Sequence, residues 1–134
     1  MSDLVIDTHA AVWYFANLPQ MSAIARNAVN GAIANGFVII LPTVSIVEIV
    51  YLIERGRLIP QTLTSLLQAL KLSNSSFVSQ DLTEDIAQTL SHIPRSTVPD
   101  MPDRIIAATA LHLNLPLITK DSKIQTLKSI KTVW

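Results

Sequence analysis

The chain contains no cysteine. Disulfides, thiolate zinc sites and cysteine nucleophiles are therefore excluded, and a bound metal would need carboxylate, histidine or hydroxyl ligands. Excess charge is lacking too, because ten Lys and Arg residues balance ten Asp and Glu residues. That balance removes the simplest argument for a nucleic-acid partner, a basic surface, so such a partner must be argued from a site. Charged residues of both signs make up only 15% of the chain, which argues against disorder. No apolar run approaches the ~20 residues of a membrane span. The N-terminus has no basic region ahead of an apolar stretch, and Asp3 and Asp7 interrupt it early. The expectation is a cytoplasmic protein with no signal peptide and no membrane association.

Apolar residues are plentiful, at 49% of 134 residues, which is enough for a substantial core. One domain spanning 1–134 is expected from this length. Leu4 to Ile6, Phe37 to Leu41 and Leu115 to Thr119 read as buried strands, with shorter strands at Phe77–Val78 and Thr132–Trp134. Helices are expected from Thr8 to Ala16, around Ala25 to Ile33, from Thr43 to Glu54, from Pro60, from Thr83, from Arg104 to Leu113 and near Ile124 to Leu127. Residues 94–102 contain three prolines and read as a loop. The strands are continuous apolar runs that alternate with helices. Both features predict an α/β fold, a three-layer α/β/α sandwich around a mainly parallel sheet. The helix from Thr43 is apolar nearly all round and is expected to be buried.

Four acids stand in apolar surroundings, where an unpaired carboxylate is costly. Asp7 ends the first strand and equally suits an N-cap of the next helix. Asp121 follows the strand ending at Thr119 and suits a turn. Asp103 follows Pro102 and suits the first turn of a helix. Glu48 lies within Ile46-Val47-Glu48-Ile49-Val50, and Ser45 three positions earlier allows a capping box. Ligands of open parallel sheets bind at the carboxyl ends of the strands, and all four acids can converge there. Ionised carboxylates that close would repel one another, so protonation or a counter-cation is required. Hard oxygen donors select Mg²⁺ or Mn²⁺, and such ions suit phosphoryl chemistry.

At these residues the sequence resembles the PIN-domain nucleases, in particular the VapC-type toxins of bacterial toxin–antitoxin pairs. The matching pieces are Val5-Ile6-Asp7-Thr8-His9-Ala10 with Trp13, and Ser45-Ile46-Val47-Glu48-Ile49. Arg55-Gly56-Arg57-Leu58, Pro102-Asp103-Arg104-Ile105-Ile106-Ala107-Ala108 and Leu117-Ile118-Thr119-Lys120-Asp121 follow in order. The resemblance implies that Asp7, Glu48, Asp103 and Asp121 hold Mg²⁺ or Mn²⁺ and direct water at an RNA phosphodiester. It implies products with a 5′-phosphate and a 3′-hydroxyl, a homodimer and a small antitoxin partner. Thr8, Ser45 and Thr119 would support the acids from a second layer. His9 departs from the Ser or Asn commonly found two places after the first Asp, and it reads as a polar helix-start residue.

Lys120, Lys123 and Arg104 are the candidates for RNA contact, and Arg104 can also pair with a neighbouring acid. Arg55, Arg57 and Arg95 are further candidates for phosphate contact, whereas Arg26 reads as solvated surface. Asp100 reads as a loop acid close to the site. The stretch Val12-Trp13-Tyr14-Phe15 suits either the core or an interface. Two other functions compete: a PIN-like module that binds RNA or protein without cutting, and phosphotransfer through an aspartyl-phosphate at Asp7. The first would be favoured by a missing acid. The second wants an acid two positions after Asp7, where His9 stands.

Overall fold

The computed structural model describes residues 1–134. Five strands are present: β1 (Leu4–Ile6), β2 (Ile39–Pro42), β3 (Phe77–Gln80), β4 (Leu117–Ile118) and β5 (Thr132–Val133). They form one parallel sheet in the order β3-β2-β1-β4-β5. Seven α-helices connect them: α1 (Thr8–Phe15), α2 (Ala23–Ala34), α3 (Thr43–Glu54), α4 (Pro60–Lys71), α5 (Glu84–Thr89), α6 (Met101–Leu113) and α7 (Ser122–Gln125). A 3₁₀ turn at Leu90–His92 prolongs α5. No helix is long and apolar enough to cross a membrane.

The three layers follow from the strand residues. Side chains alternate along a strand, and here both faces are apolar. Leu4 and Ile6 face one core layer with α1, α2, Ile49 of α3 and Leu66 of α4. Val5 faces the opposite layer, with Ile86 of α5, Ile106 and Ala107 of α6 and Ile124 of α7. Ile39 and Leu41 take the first layer and Ile40 the second. Each fully buried Ile contributes about 1.5–3 kcal/mol relative to exposure. Alanines at positions 10, 11, 107, 108 and 110 are buried and let α1 and α6 lie close to the sheet.

The strand order fixes where a site can be. From β1 the chain runs outward to β2 and β3, then crosses back to β4 and β5 on the other side. The reversal lies between β1 and β4, which pair in parallel through Val5–Leu117 and Ile6–Ile118. A crevice opens at the carboxyl ends of such a pair. Asp7 and Asp121 follow these two strands.

Several boundaries differ from the sequence expectation, each for a local reason. Phe37 does not begin β2, because its N–H closes α2 onto Ala32 O. Leu115 does not begin β4, because its N–H bonds to Ala110 O, and Pro116 has no N–H to pair. The loop at 94–102 ends early, at Met101, since the Asp100 side chain caps α6 and Pro102 is tolerated in a first turn. Gly56, just past α3, has φ +72°, and Asn114, just past α6, has φ +54°; these are residue types that suit a left-handed helix stop. The expectation that α3 is buried all round is corrected: Ser45 and Ile49 are buried, whereas Val47 is 53% and Tyr51 57% exposed.

Candidate metal centre and acidic cleft

Asp7 is the N-cap of α1, as the structural reading of this residue required, yet it also faces the crevice. Its Oδ1 accepts a hydrogen bond from Ala10 N–H at 2.9 Å, and its Oδ2 accepts from the Thr119 hydroxyl. Thr119 in turn accepts from Asp121 N–H at 3.0 Å. A relay of backbone amide, hydroxyl and carboxylate thus ties the ends of β1 and β4 together. Burial is the largest influence on Asp7 and raises its pKa; Thr119 and the Ala10 amide offset part of this.

Glu48 is held differently. Pro42 stands at the N-cap of α3, so Ser45 is inside the helix and the Ser45–Glu48 capping box does not form. Instead the Thr8 hydroxyl donates to Glu48 Oε1 and lies 2.8 Å from Ser45 Oγ. Thr8 has a single hydroxyl proton, so once it is given to the carboxylate, the Ser45 hydroxyl supplies the proton between the pair. Ser45 therefore supports Glu48 through Thr8 and not directly. Burial again raises the Glu48 pKa most, with Asp100 and Asp7 adding to it.

Asp103 occupies the first turn of α6, and Asp121 caps α7 by accepting from Lys123 and Ile124 N–H at 2.9 Å each. Asp7, Glu48, Asp103 and Asp121 all line one cleft of about 350 Å³. Asp100, read from the sequence as a loop acid, belongs with them: carboxylate oxygens of Glu48, Asp100 and Asp103 lie within 4.8 Å of one another. It caps α6 by accepting from Asp103 N–H at 3.1 Å, and the cap brings it to the rim. The sequence signal was there, since Asp three places before Asp is a cap spacing, but a cap does not by itself announce a site.

Electrostatics bind these acids into one system. Asp103 is pushed up to about 7, first by burial and then by Asp100, Asp121, Glu48 and Asp7. The largest influences on it all act in the same direction. This is the donor chemistry of a hard divalent cation: several carboxylate oxygens, no thiolate, and a repulsion that positive charge would relieve. The residues present fit such an ion.

The other sequence candidates separate. Lys120 lines the cleft, its Nζ 5.7 Å from the Trp13 ring centroid. Lys123 is exposed and does not line the cleft. For Arg104 the expected pairing with an acid is corrected. Its guanidinium donates to Leu90 O at 2.9 Å and to Ile93 O at 3.1 and 2.9 Å, so it fastens the 3₁₀ turn to α6. Its Nε and Nη2 serve these carbonyls, and it pairs with no acid. His9 lines the cleft beside Trp13, their ring centroids 5.7 Å apart. Tyr14 and Phe15 pack with Phe77 in the chain's own core.

A family model described as the PIN domain matches residues 4–129. The chain belongs to the PIN-domain family. Among curated proteins it is similar to a protein named Ribonuclease VapC22 from Mycobacterium tuberculosis, 27% identical over 136 residues and covering 100% of both chains. Two solved structures share the fold at low identity. One is VapBC2 from Rickettsia felis bound to a promoter DNA fragment, with TM-score 0.72, 14% identity, and 97% of this chain and 96% of that chain covered. The other is DNA-bound VapBC from Salmonella typhimurium, with TM-score 0.70, 17% identity, and 98% and 97% covered. A PIN fold is thus shared across nearly the whole chain.

Proposed function

We propose that this PIN-domain protein is a Mg²⁺- or Mn²⁺-dependent endoribonuclease and the toxin of a toxin–antitoxin pair. One observation carries this reading: five carboxylates meet where β1 and β4 end, and Asp103 has its pKa raised to about 7 by burial and by the other four. The relative named a ribonuclease and the structural neighbours named as VapBC complexes support it.

Asp7, Glu48, Asp103 and Asp121 would hold the cation, with Asp100 as a fifth acid at the rim. A divalent ion bound there supplies positive charge that neutralises the acids, lowers the pKa of a water and stabilises a leaving oxygen. The chain's own residues do the rest. Thr119 and Ala10 fix both oxygens of Asp7, so this donor cannot swing away. Thr8 fixes one oxygen of Glu48 and leaves the other to face the cleft. Without the cation Asp103 is raised to about 7, so binding of the ion would release a proton from it near neutral pH. Lys120 places one cation at the cleft wall, where a phosphate of the substrate can meet it.

The test is cleavage of RNA in Mg²⁺ by wild type and Asp7→Asn, with folding checked by circular dichroism. Wild type should cut and leave 5′-phosphates, the variant should fold without cutting, and EDTA should stop the wild type. Equal cleavage by both proteins would sink the proposed site. RNA bound but uncut by wild type would favour the non-catalytic module. A small antitoxin should co-purify when its neighbouring gene is co-expressed. The exposed Val47 and Tyr51 on α3 offer apolar surface for a homodimer, which light scattering would detect.

A further inference from the structure

The acidic cleft shares a wall with a second cavity of about 300 Å³. His9 and Trp13 line both. Across this wall the chemistry changes. Leu52 and Leu58 supply apolar surface, Gln20 an amide and Arg57 a guanidinium, and no carboxylate lines the space. Trp13, Leu52 and Leu58 are partly buried, whereas His9, Gln20 and Arg57 are exposed. The floor is therefore apolar and the rim polar, the build of a small-ligand pocket, and the volume is at the lower end for such sites.

We propose that this cavity takes one unpaired nucleobase of an RNA strand whose adjoining phosphate lies in the acidic cleft. The inference rests on the nuclease reading above and adds to it a seat for one base beside the acids. The Trp13–His9 wall offers a base an aromatic face. The Gln20 amide carries both donors and an acceptor and can meet a base edge. Lys120 stands over Trp13 on the cleft side at 5.7 Å, and Arg57 lines the other cavity. A strand that passes from one cavity to the other meets a cation in each. That arrangement explains how a chain with ten basic and ten acidic residues holds a polyanion: the positive charges are local, at the two places a phosphate chain must pass. A duplex cannot use the pocket, because its bases stay stacked inside the helix.

The experiment uses full-length protein, Mg²⁺ and a short mixed-sequence RNA carrying 5-bromouridine. Cleavage and photo-crosslinking are followed in the same tube, and crosslinked peptides are mapped by mass spectrometry. Crosslinks should fall on Trp13 or His9 and disappear when the RNA is annealed to its complement. Trp13→Ala should weaken RNA binding about 5- to 150-fold, and Trp13→Phe should retain most of it. Should Trp13→Ala fail to fold, the exposed positions decide. Gln20→Ala and Arg57→Ala should each raise KM about 2- to 10-fold, more than they lower kcat. Cleavage with crosslinks elsewhere, or equal crosslinking of duplex, overturns the pocket and leaves the nuclease standing. Absence of both cleavage and crosslinks overturns both. A protein segment crosslinked to Leu52 or Leu58, with cleavage indifferent to Gln20→Ala and Arg57→Ala, also overturns it.

Discussion

Replacing Asp103 by Asn should stabilise the metal-free protein. The carboxyl titrates near 3.8 in an unfolded chain and is raised to about 7 in the fold. Between those values the folded state binds the more protons, so stability falls as pH rises through this window and stays low above it. Each tenfold in the protonation equilibrium is about 1.4 kcal/mol, so a fully shielded group would forfeit about 4 kcal/mol by about pH 8. Asp103 is only half-buried, and solvent screening reduces the figure to about 1–2 kcal/mol. Asn keeps the shape and the helix position and removes the charge. Urea denaturation in EDTA should show Asp103→Asn more stable than wild type by that amount at about pH 8, with the gap closing towards about pH 4. The melting temperature should rise by about 3–8 °C at the higher pH. Adding Mg²⁺ should reverse the order, since the wild type gains a counter-charge that the variant holds less well. A variant less stable than wild type in EDTA at about pH 8 would refute the argument, because it would mean that Asp103 is already neutralised by something other than a metal.

Three further outcomes follow from single contacts. Thr119→Val keeps the volume but takes the hydroxyl from buried Asp7, so it should cost about 1–3 kcal/mol in denaturation and weaken Mg²⁺ binding measured by calorimetry. Arg104→Ala removes three hydrogen bonds to Leu90 and Ile93 carbonyls, and it should lower stability by about 1–3 kcal/mol while leaving Mg²⁺ affinity within about twofold, a result opposite to that of an RNA- or acid-binding arginine. Gly56→Ala places a side chain at φ +72° and should destabilise by about 1 kcal/mol in thermal melts, with no loss of cleavage.

The fold was largely legible because its signals are local and repeated. Val5, Ile40 and Leu117 sit in apolar runs with no polar alternation, and such runs belong to strands covered on both faces. Gly56 and Asn114 stand where φ is positive, a conformation that restricts the residue type and so can be read from sequence. Failures arose where a distant partner decided the outcome. Nothing near Arg104 in the sequence reveals that its guanidinium reaches carbonyls eleven and fourteen residues away. Nothing in the composition of α3 shows that Val47 and Tyr51 turn away from the core, because an apolar residue can lie on either side of a helix.

The acids show why capping and function should not have been set against each other. Asp7, Asp100 and Asp121 are all N-caps, of α1, α6 and α7. Asp121 spends Oδ1 on two amides, and Asp100 meets its amide with Oδ2, so each retains a second oxygen for the crevice. A cap fixes the carboxylate at a helix start, and the partial positive charge there lowers the cost of keeping it ionised. In a parallel sheet the helix starts lie at the carboxyl ends of the strands, which is also where the crevice opens. Caps at such positions therefore gather carboxylates from distant parts of the chain at one place. Glu48, which reaches the same place from inside α3 and caps nothing, needed Thr8 to hold it. The capping that offered a structural role for Asp7 is thus the means by which the fold aims it, and Asp121, expected in a turn, is aimed by a cap as well.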